Sequence, residues 1–451
     1  MPRSLLHKLK CVLPGPCPVE YHLVLLFLAL AIPKTGVVHL PQQISEVSAE
    51  IKIPQGAHDL TIEGNGAILR AGPKFQGRAI LSCKSCRHVV VRNLLIGGNR
   101  QAVENRQPMP PSGAEFTQSF TNNGILIEDG EGVTLDNVSL SDIAGFAILV
   151  SRSKDVTVRH SAVSNSGGRN QLGRNNTSGG ILFEEGCENF RVADSDFKNV
   201  LGNAVWTHSR YKSPRNAHGW IERNHFDQIG RDAIQVGHGT EILVAGNQGT
   251  RIGYPVEMVD VETGGIPVAI DTAGNVDKTT YRGNQFEEVN GKCIDLDGFH
   301  DGLIEENVCI NKGKPEDYAF GHFGIVMNNA SIEMESHNIR IVNNRMEGMK
   351  FGGIFVIGEG HRITGNRLLR LNTAHCNENA AKFGCSALGE PDVLDTGIYL
   401  GSHAERPAPA KGNVIEGNEI TGWKMKSRCI QAAPGVKLTE NTIKDNRCSD
   451  E

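Results

Sequence analysis

A short phrase built on asparagine recurs along the chain, and this repeat restricts the fold more than any other feature. Each copy is an Asn, any residue, and then usually an apolar residue. Neighbouring copies lie 22 or 23 residues apart, and the longer gaps equal one period plus an insertion. A unit this short cannot bury its own apolar face, so it must stack on its neighbours. The copies begin at Asn137, Asn224, Asn247, Asn284, Asn307, Asn344, Asn366, Asn418 and Asn441.

Two further strand-like phrases keep step with the asparagines. One has alternating buried positions, as in Gly180–Phe183 and Gly353–Val356. The other lies between this phrase and the asparagine phrase, as in Asp155–Val158. Several short strands per period predict a solenoid whose coils stack as parallel strands about 4.8 Å apart. At the same turn of each coil, the Asn amides can hydrogen-bond to one another as a ladder. The recurrent asparagines are therefore predicted to be structural and not catalytic.

The phrases and the opening strands at Gly36–Pro41, Ile51–Pro54 and Leu60–Gly66 resemble the pectin-lyase-like superfamily over roughly residues 37–447. This resemblance implies an all-β fold: a single-stranded, right-handed parallel β-helix with loop insertions, covering residues 37–451. Members include pectate and pectin lyases, polygalacturonases, alginate lyases and epimerases, and phage tailspikes. The shared scaffold does not choose among these activities.

Residues 1–36 are predicted to form a signal peptide or an N-terminal capping segment. The apolar run at 23–32 suits a signal-peptide core and is too short to span a bilayer. We expect a secreted or periplasmic protein with no stable membrane span. A net charge of −5, from 46 basic and 51 acidic residues, argues against nucleic acid as a partner.

Cysteine spacing suggests disulfides, which would fit an extracytoplasmic location. Cys187 is the candidate for a free thiol. The candidate pairs are Cys429 with Cys448, Cys376 with Cys385, Cys293 with Cys309, and Cys83 with Cys86.

An acidic cluster in the middle coils is the sharpest chemical signal. Alternation along the strands predicts two outward columns, with Asp295 in the first and both Asp271 and Asp297 in the second. On adjacent coils, Asp271 and Asp297 would lie about 5 Å apart. Carboxylates that close repel, so one pKa should rise and that acid could protonate a leaving group while the other activates water.

Other residue types near this cluster suggest supporting roles. Histidines can transfer protons, aromatic rings can stack on sugars, and Arg or Lys can hold a uronate carboxylate. The predicted catalytic residues are Asp271, Asp295, Asp297, His208 and His300. The predicted substrate-binding residues are Trp206, Arg210, Lys212, Gln235, His238, Asp301, His322, Phe355 and Tyr399.

The leading functional hypothesis is extracytoplasmic acid/base hydrolysis of a polysaccharide from plants or bacteria, uronate-containing polymers included. It requires no cofactor. One alternative is a calcium-dependent lyase or uronate epimerase, in which Asp271, Asp295 and Asp297 would bind Ca²⁺. Another is a non-enzymatic, carbohydrate-binding surface β-helix. The carboxylates could also be plain solvated residues on an exposed strand face.

Overall fold

The protein is a right-handed parallel β-helix. This computed structural model describes residues 32–103, 114–169, 175, 178–259, 266–330, 332–385 and 392–451. The predicted signal peptide or cap lies mostly outside the described residues, which include only 32–36 of that segment. Parallel strands on successive coils pair into one 37-stranded sheet, which wraps around an apolar interior, and a 4-stranded ladder runs beside it.

The strands form three faces, named A, B and C here, and long early strands run around a corner from one face to the next. Face A carries the candidate site and contains Ile44–Ile53, Ile68–Lys84, Asn123–Glu128, Phe146–Ser151, Gly179–Glu184, Asn203–His208, Ile234–Gly237, Val268–Ala273, Lys292–Asp297, Ile325–Asn328, Ile354–Val356, Ile398–Leu400 and Ile430–Ala432. Face B contains Gly36–His39, His58–Glu63, Arg87–Gly97, Thr134–Ser141, Thr157–Arg159, Arg191–Ala193, Trp220–Glu222, Leu243–Ala245, Thr280–Arg282, Leu303–Glu305, Arg340–Val342, Arg362–Thr364, Val414–Glu416 and Thr442–Lys444.

Face C continues the corners of the longer strands. Its separate strands are Ala162–Ser164, Asp196–Val200, His225–Ile229, Gln248–Ile252, Gln285–Val289, Val308–Ile310, Arg345–Glu347, Arg367–Leu371, Glu419–Gly422 and Arg447–Asp450. The four-stranded ladder contains Asn216–Ala217, Gly239–Thr240, Val276–Asp277 and Phe299–His300. The helical turns are Arg100–Val103, Phe116–Ser119, Val256–Met258, Pro315–Asp317, Ile332–Met334, Cys376–Phe383, Val393–Asp395 and Leu438–Glu440.

The predicted asparagine ladder is present inside the corner between faces B and C. Each side-chain amide donates to the Oδ1 of the next Asn at 2.8–3.1 Å, which satisfies polar groups that stacking would otherwise bury unpaired. The rungs are Asn224, Asn247, Asn284, Asn307, Asn344, Asn366, Asn418 and Asn446.

Two predicted members do not belong to this ladder. Asn418 donates to Asn446, and Asn441 instead accepts from the backbone of Asn413 one corner earlier. Asn137 lies at the surface and donates to Asn93. Upstream of Asn224 the ladder continues through serine hydroxyls, which explains why the asparagine phrase alone misplaced both ends.

The four predicted cysteine pairs are all disulfides, and Cys187 is a buried free thiol. Among the described residues, no helix is both long enough and apolar enough to cross a membrane.

Candidate functional site

The centre of the site is a row of outward-facing side chains on face A, here called the central row. Strand register aligns Trp206 with Gln235 and Gln235 with Asp271. Asp271 follows Ile270, which pairs with Ile294, so Asp271 lies opposite Asp295 on the next coil. The part of the row named here runs through Leu182, Trp206, Gln235, Asp271, Asp295, Val326, Phe355 and Tyr399.

This register corrects the predicted columns. Asp271 was expected beside Asp297, but the strand is displaced by two residues and Asp271 belongs to the same row as Asp295. The insertion before Val268 hides the start of that strand in the sequence. Asp297 lies two residues after Asp295 on the same strand and pairs with Asn328 on the next coil. The three predicted aspartates are thus neighbours on one face, in a different arrangement.

A hydrogen-bonded chain of buried polar groups leads into the acidic centre. Asn203 Nδ2 donates to Gln235 Oε1 at 2.8 Å, and Gln235 Nε2 donates to the carboxylate of Asp271. Burial, together with the charges of Asp232 and Asp295, raises the pKa of Asp271 well above its usual value. Gln235 thereby orients this carboxylate, and its predicted contact with substrate stays a prediction.

Asp232 is a fourth carboxylate that the sequence reasoning did not select. It is 2% exposed, and its Oδ1 accepts from the backbone N–H of Val268 at 2.9 Å. Burial raises its pKa to about 6. The available signal was its position directly before a strand of the site face, one coil before Asp271.

Lys292 supplies the cation of the acidic centre and was also missed. Its ammonium forms an ion pair with the carboxylate of Asp295, and both side chains are almost buried. Burial disfavours the ammonium, but the attraction of Asp295 outweighs it and raises the pKa of Lys292. Asp295 Oδ2 contacts the ammonium, while its Oδ1 has no hydrogen-bond partner within the described part of the chain.

Asp297 is the acidic residue of this group with access to solvent. Burial raises its pKa to about 7, and the charges of Asp295 and Glu405 add to the effect. Its Oδ1 is also without a hydrogen-bond partner among the described residues. Burial raises the pKa of the Tyr211 phenol, and the charge of nearby Asp297 adds to this shift. A half-protonated carboxyl with a free oxygen suits a proton donor near neutral pH.

A pocket of about 510 Å³ opens on the same face, one coil beyond Asp295. The central-row residues Val326 and Phe355 belong to its wall. Other lining side chains include Phe320, His322, Phe351, Phe383, His403 and Lys350. The pocket is therefore mainly aromatic, with a few polar groups that can orient a ligand.

Lys350 is the buried cation of this pocket. Only 6% of it is exposed, and its ammonium donates to the carbonyl of Tyr318 at 2.9 Å. The Phe351 and Phe383 rings lie 5.7 and 5.4 Å from the ammonium. Within the described residues it has no carboxylate partner, and burial lowers its pKa.

The segment 114–121, here called the cover segment, closes the other end of the central row. The backbone N–H groups of Phe116 and Thr117 donate to the buried carboxylate of Glu184 at 2.8 and 2.9 Å. The Phe116 ring packs 5.2 Å from both Trp206 and His208. Both side chains pack against the cover segment, and burial lowers the pKa of His208 to about 4. Sugar stacking by Trp206 and proton transfer by His208 stay predictions.

Two other predicted binding residues have different positions. Arg210 forms ion pairs with Glu185 and Glu115, which tie it to the cover segment instead of leaving it for a uronate. Tyr399 is fully buried, so its ring cannot stack on a sugar. Lys212 is exposed on the adjacent loop.

The predicted histidines separate into three environments. His238 is 7% exposed and packs edge-on against Tyr211 at 4.8 Å. His322 lies in the wall of the pocket, where burial lowers its pKa to about 3 and keeps the imidazole neutral. His300 and Asp301 form a separate cluster with His337 at the turn beyond face A.

The comparisons with known proteins concern the fold. A model of right-handed β-helix regions matches residues 112–266. PfbA, a surface adhesin of Streptococcus pneumoniae, is 17% identical with a TM-score of 0.56, over 75% of this chain and 84% of that one.

Two weaker structural likenesses are to enzymes. The A-module of mannuronan C-5 epimerase AlgE6 from Azotobacter vinelandii is 12% identical with a TM-score of 0.49, over 92% and 91% of the two chains. The catalytic domain of a GH87 alpha-1,3-glucanase is 12% identical with a TM-score of 0.48, over 91% and 64%. No curated protein sequence matches the chain.

Proposed function

We propose that this right-handed parallel β-helix acts outside the cytoplasm on a polysaccharide and hydrolyses its glycosidic bonds by acid/base catalysis. The observation that carries the proposal is the grouping of Asp271, Asp295 and Asp297 on one face, beside a pocket. Burying a group of carboxylates costs free energy because each unpaired charge loses its hydration. Proteins keep such costly groups mainly at functional sites.

The environments of Asp297 and Asp295 assign them different roles. Asp297 has a pKa of about 7 and access to solvent, so it is the proton donor to the leaving oxygen. Asp295 is paired with Lys292, which favours its charged form, so it is the base or nucleophile. Asp271 and Asp232 retain protons more readily and support the charged member of the row.

The pocket favours an acidic sugar at the position next to the cleaved bond. A buried ammonium that lacks a carboxylate partner can bind a ligand carboxylate with little competition from water. Lys350 is such a group, and Phe355 offers apolar contact two coils from Asp295. A uronate-containing polymer supplies both a carboxylate and the apolar face of a ring.

Calcium-dependent elimination or epimerisation is the second chemistry to consider. Clustered carboxylate oxygens are the ligands that Ca²⁺ prefers. At this site, however, the ammonium of Lys292 already neutralises Asp295, and Gln235 occupies a lone pair of Asp271. A calcium ion would have to displace both contacts, so the arrangement favours hydrolysis.

The extracytoplasmic location rests on the disulfides. Four pairs in one chain are typical of oxidising compartments.

The test compares the wild-type chain with Asp297→Asn on a polysaccharide that the wild type cleaves. We expect turnover to fall by roughly a hundredfold or more, since a positioned acid contributes on that order. Binding of the same polymer, measured by affinity electrophoresis, should be retained. Asp196→Asn is the matched control because that side chain is 74% exposed on face C. Equal turnover in Asp297→Asn would contradict the proposal, and binding without turnover in the wild type would favour a carbohydrate-binding module.

A further inference from the structure

We propose that His300, Asp301 and His337 bind one divalent transition-metal ion at the turn beyond face A. One ligand atom from each side chain lies within 4.8 Å of the other two. His300 and Asp301 come from one coil, and His337 comes from the next, where its carbonyl accepts from the Asp301 backbone at 3.0 Å. Within the described residues, no other group of three His, Cys, Asp or Glu side chains converges this closely.

The partner of His300 fixes which of its nitrogens carries hydrogen. Its Nε2 lies 3.1 Å from Asn275 Oδ1, and the same oxygen accepts from Arg215 Nη1 at 3.1 Å. Because Arg215 can only donate, this atom of Asn275 is the amide oxygen. Nε2 of His300 must therefore be the donor, and in the neutral imidazole Nδ1 keeps its lone pair.

His337 is fixed in the complementary way. Its Nδ1 lies 2.8 Å from the backbone carbonyl of Glu335, which is an acceptor only, so Nδ1 donates. The lone pair of the neutral ring is then on Nε2. A metal-binding His usually donates its other N–H to a carbonyl or carboxylate in this manner, which sets the ring orientation.

Both lone pairs point at one oxygen. His300 Nδ1 and His337 Nε2 each lie 3.1 Å from Asp301 Oδ2. The other carboxylate oxygen, Oδ1, accepts from Asn338 at 2.9 Å and is thereby oriented. Three electron pairs facing one another repel unless a positive charge lies among them.

The two imidazole rings lie side by side. The His300 and His337 rings are stacked, with centroids 4.8 Å apart and planes at 18°. A single metal ion between the two facing nitrogens and the carboxylate oxygen satisfies all three ligands at once.

The ligand set indicates the class of ion. Imidazole nitrogen with one carboxylate suits Zn²⁺, Co²⁺, Ni²⁺, Cu²⁺ or Fe²⁺, whereas Ca²⁺ and Mg²⁺ prefer oxygen. Asp301 and His337 are partly exposed, with 42% and 38% of their side chains accessible, so an ion can enter and water can complete its shell.

The chain also contains a matched control site. His58 Nδ1 and His88 Nδ1 approach Asp59, at 3.1 and 3.4 Å, but they contact different carboxylate oxygens. These side chains are 55–70% exposed. The same residue types on adjacent coils are thus present without the shared ligand point.

The experiment titrates the EDTA-treated full chain with Co²⁺ and follows its visible d–d absorption, with Zn²⁺ as competitor. We expect about one Co²⁺ per chain, displaced by Zn²⁺. His337→Gln and Asp301→Asn should each weaken Co²⁺ binding roughly a hundredfold or more, while His88→Gln leaves it unchanged.

Circular dichroism and thermal unfolding show whether each variant is folded. A folded sample of either His337→Gln or Asp301→Asn is sufficient for the test. Absence of the Co²⁺ bands in the wild type would overturn the proposal. So would equal binding in the folded ligand variants, or an equal loss in His88→Gln.

Discussion

Asp297 follows Asp295 by two residues on one strand, so both side chains project from the same side of face A, and the Asp295 carboxylate contacts the Lys292 ammonium. Burial, assisted by the charge of Asp295, raises the pKa of Asp297 to about 7. If Asp297 is the proton donor, kcat should decline as pH rises through about 7. A pH–rate profile with saturating polysaccharide measures this limb.

Two variants should move that limb in opposite directions. Glu405 raises the pKa of Asp297 and Lys292 lowers it. Glu405→Gln should therefore shift the limb to lower pH, and Lys292→Met should shift it to higher pH while also reducing kcat. A limb that stays fixed in Glu405→Gln, with kcat otherwise preserved, would assign it to another group.

The buried Asp232 should leave a signature in stability. Its pKa is about 6 in the folded chain against 3.8 when unperturbed. The protonated form is thus favoured by folding, and its contribution is present below about pH 4 and lost as pH rises through about 6. Asp232→Asn should become progressively more stable relative to wild type from about pH 4 to about pH 6, with little further change up to pH 8. Thermal unfolding across that range checks this, with Asp196→Asn as the variant that should show no trend.

Lys350 should determine preference for acidic ligands. Lys350→Met removes the buried ammonium but keeps much of its apolar stem among the phenylalanines. We expect affinity for a uronate oligosaccharide to fall roughly tenfold to a hundredfold, since a charge-assisted hydrogen bond is lost. Neutral oligosaccharides should bind as before.

Lys382→Met is the control for this prediction. Lys382 also contacts the Phe383 ring, but it is 59% exposed and pairs with Glu316. A similar loss in both variants, or a loss for neutral ligands as well, would contradict a specific role for Lys350. Calorimetry on each ligand supplies the comparison.

The asparagine ladder should contribute strongly to stability. Asn307→Ala leaves both the side-chain amide and the backbone N–H of Asn284 without their Oδ1 acceptor. It also removes the side-chain donor to the Tyr281 carbonyl, while Asn344 Oδ1 still accepts from the backbone N–H of residue 307. Buried groups left unpaired cost about 1–3 kcal/mol each, so we expect a loss of about 2–5 kcal/mol in the free energy of unfolding. Denaturant titration measures it. Asn137→Gly, at an exposed pair and a left-handed backbone that glycine tolerates, should change this free energy by less than about 0.5 kcal/mol.

The sequence predicted the coil because the Asn ladder and the alternating strands repeat locally. Its failures have a different origin. Asp271 was assigned to the wrong column because an insertion hides where its strand starts. Asp232 and Lys292 escaped notice because each lies at the edge of a strand and not at an alternating position.

Several predicted site residues have contacts that the sequence did not reveal, and these share a physical cause. Trp206, His208 and Arg210 lie under or against the cover segment, about 90 residues earlier in the chain. Periodicity identifies which side chains point outward, but it does not reveal what a distant loop covers. Tyr399 shows the same limit, since it points along the central row and is nonetheless fully buried.

The most direct measurement is a screen of the purified mature chain on a panel of neutral and acidic polysaccharides, with Ca²⁺ and with EDTA. It records new reducing ends and the absorbance of unsaturated uronates. We predict reducing ends without that absorbance, unaffected by EDTA and lost in Asp297→Asn. Unsaturated products that disappear with EDTA, or no reducing ends on any polymer, would contradict hydrolysis by the aspartates of face A.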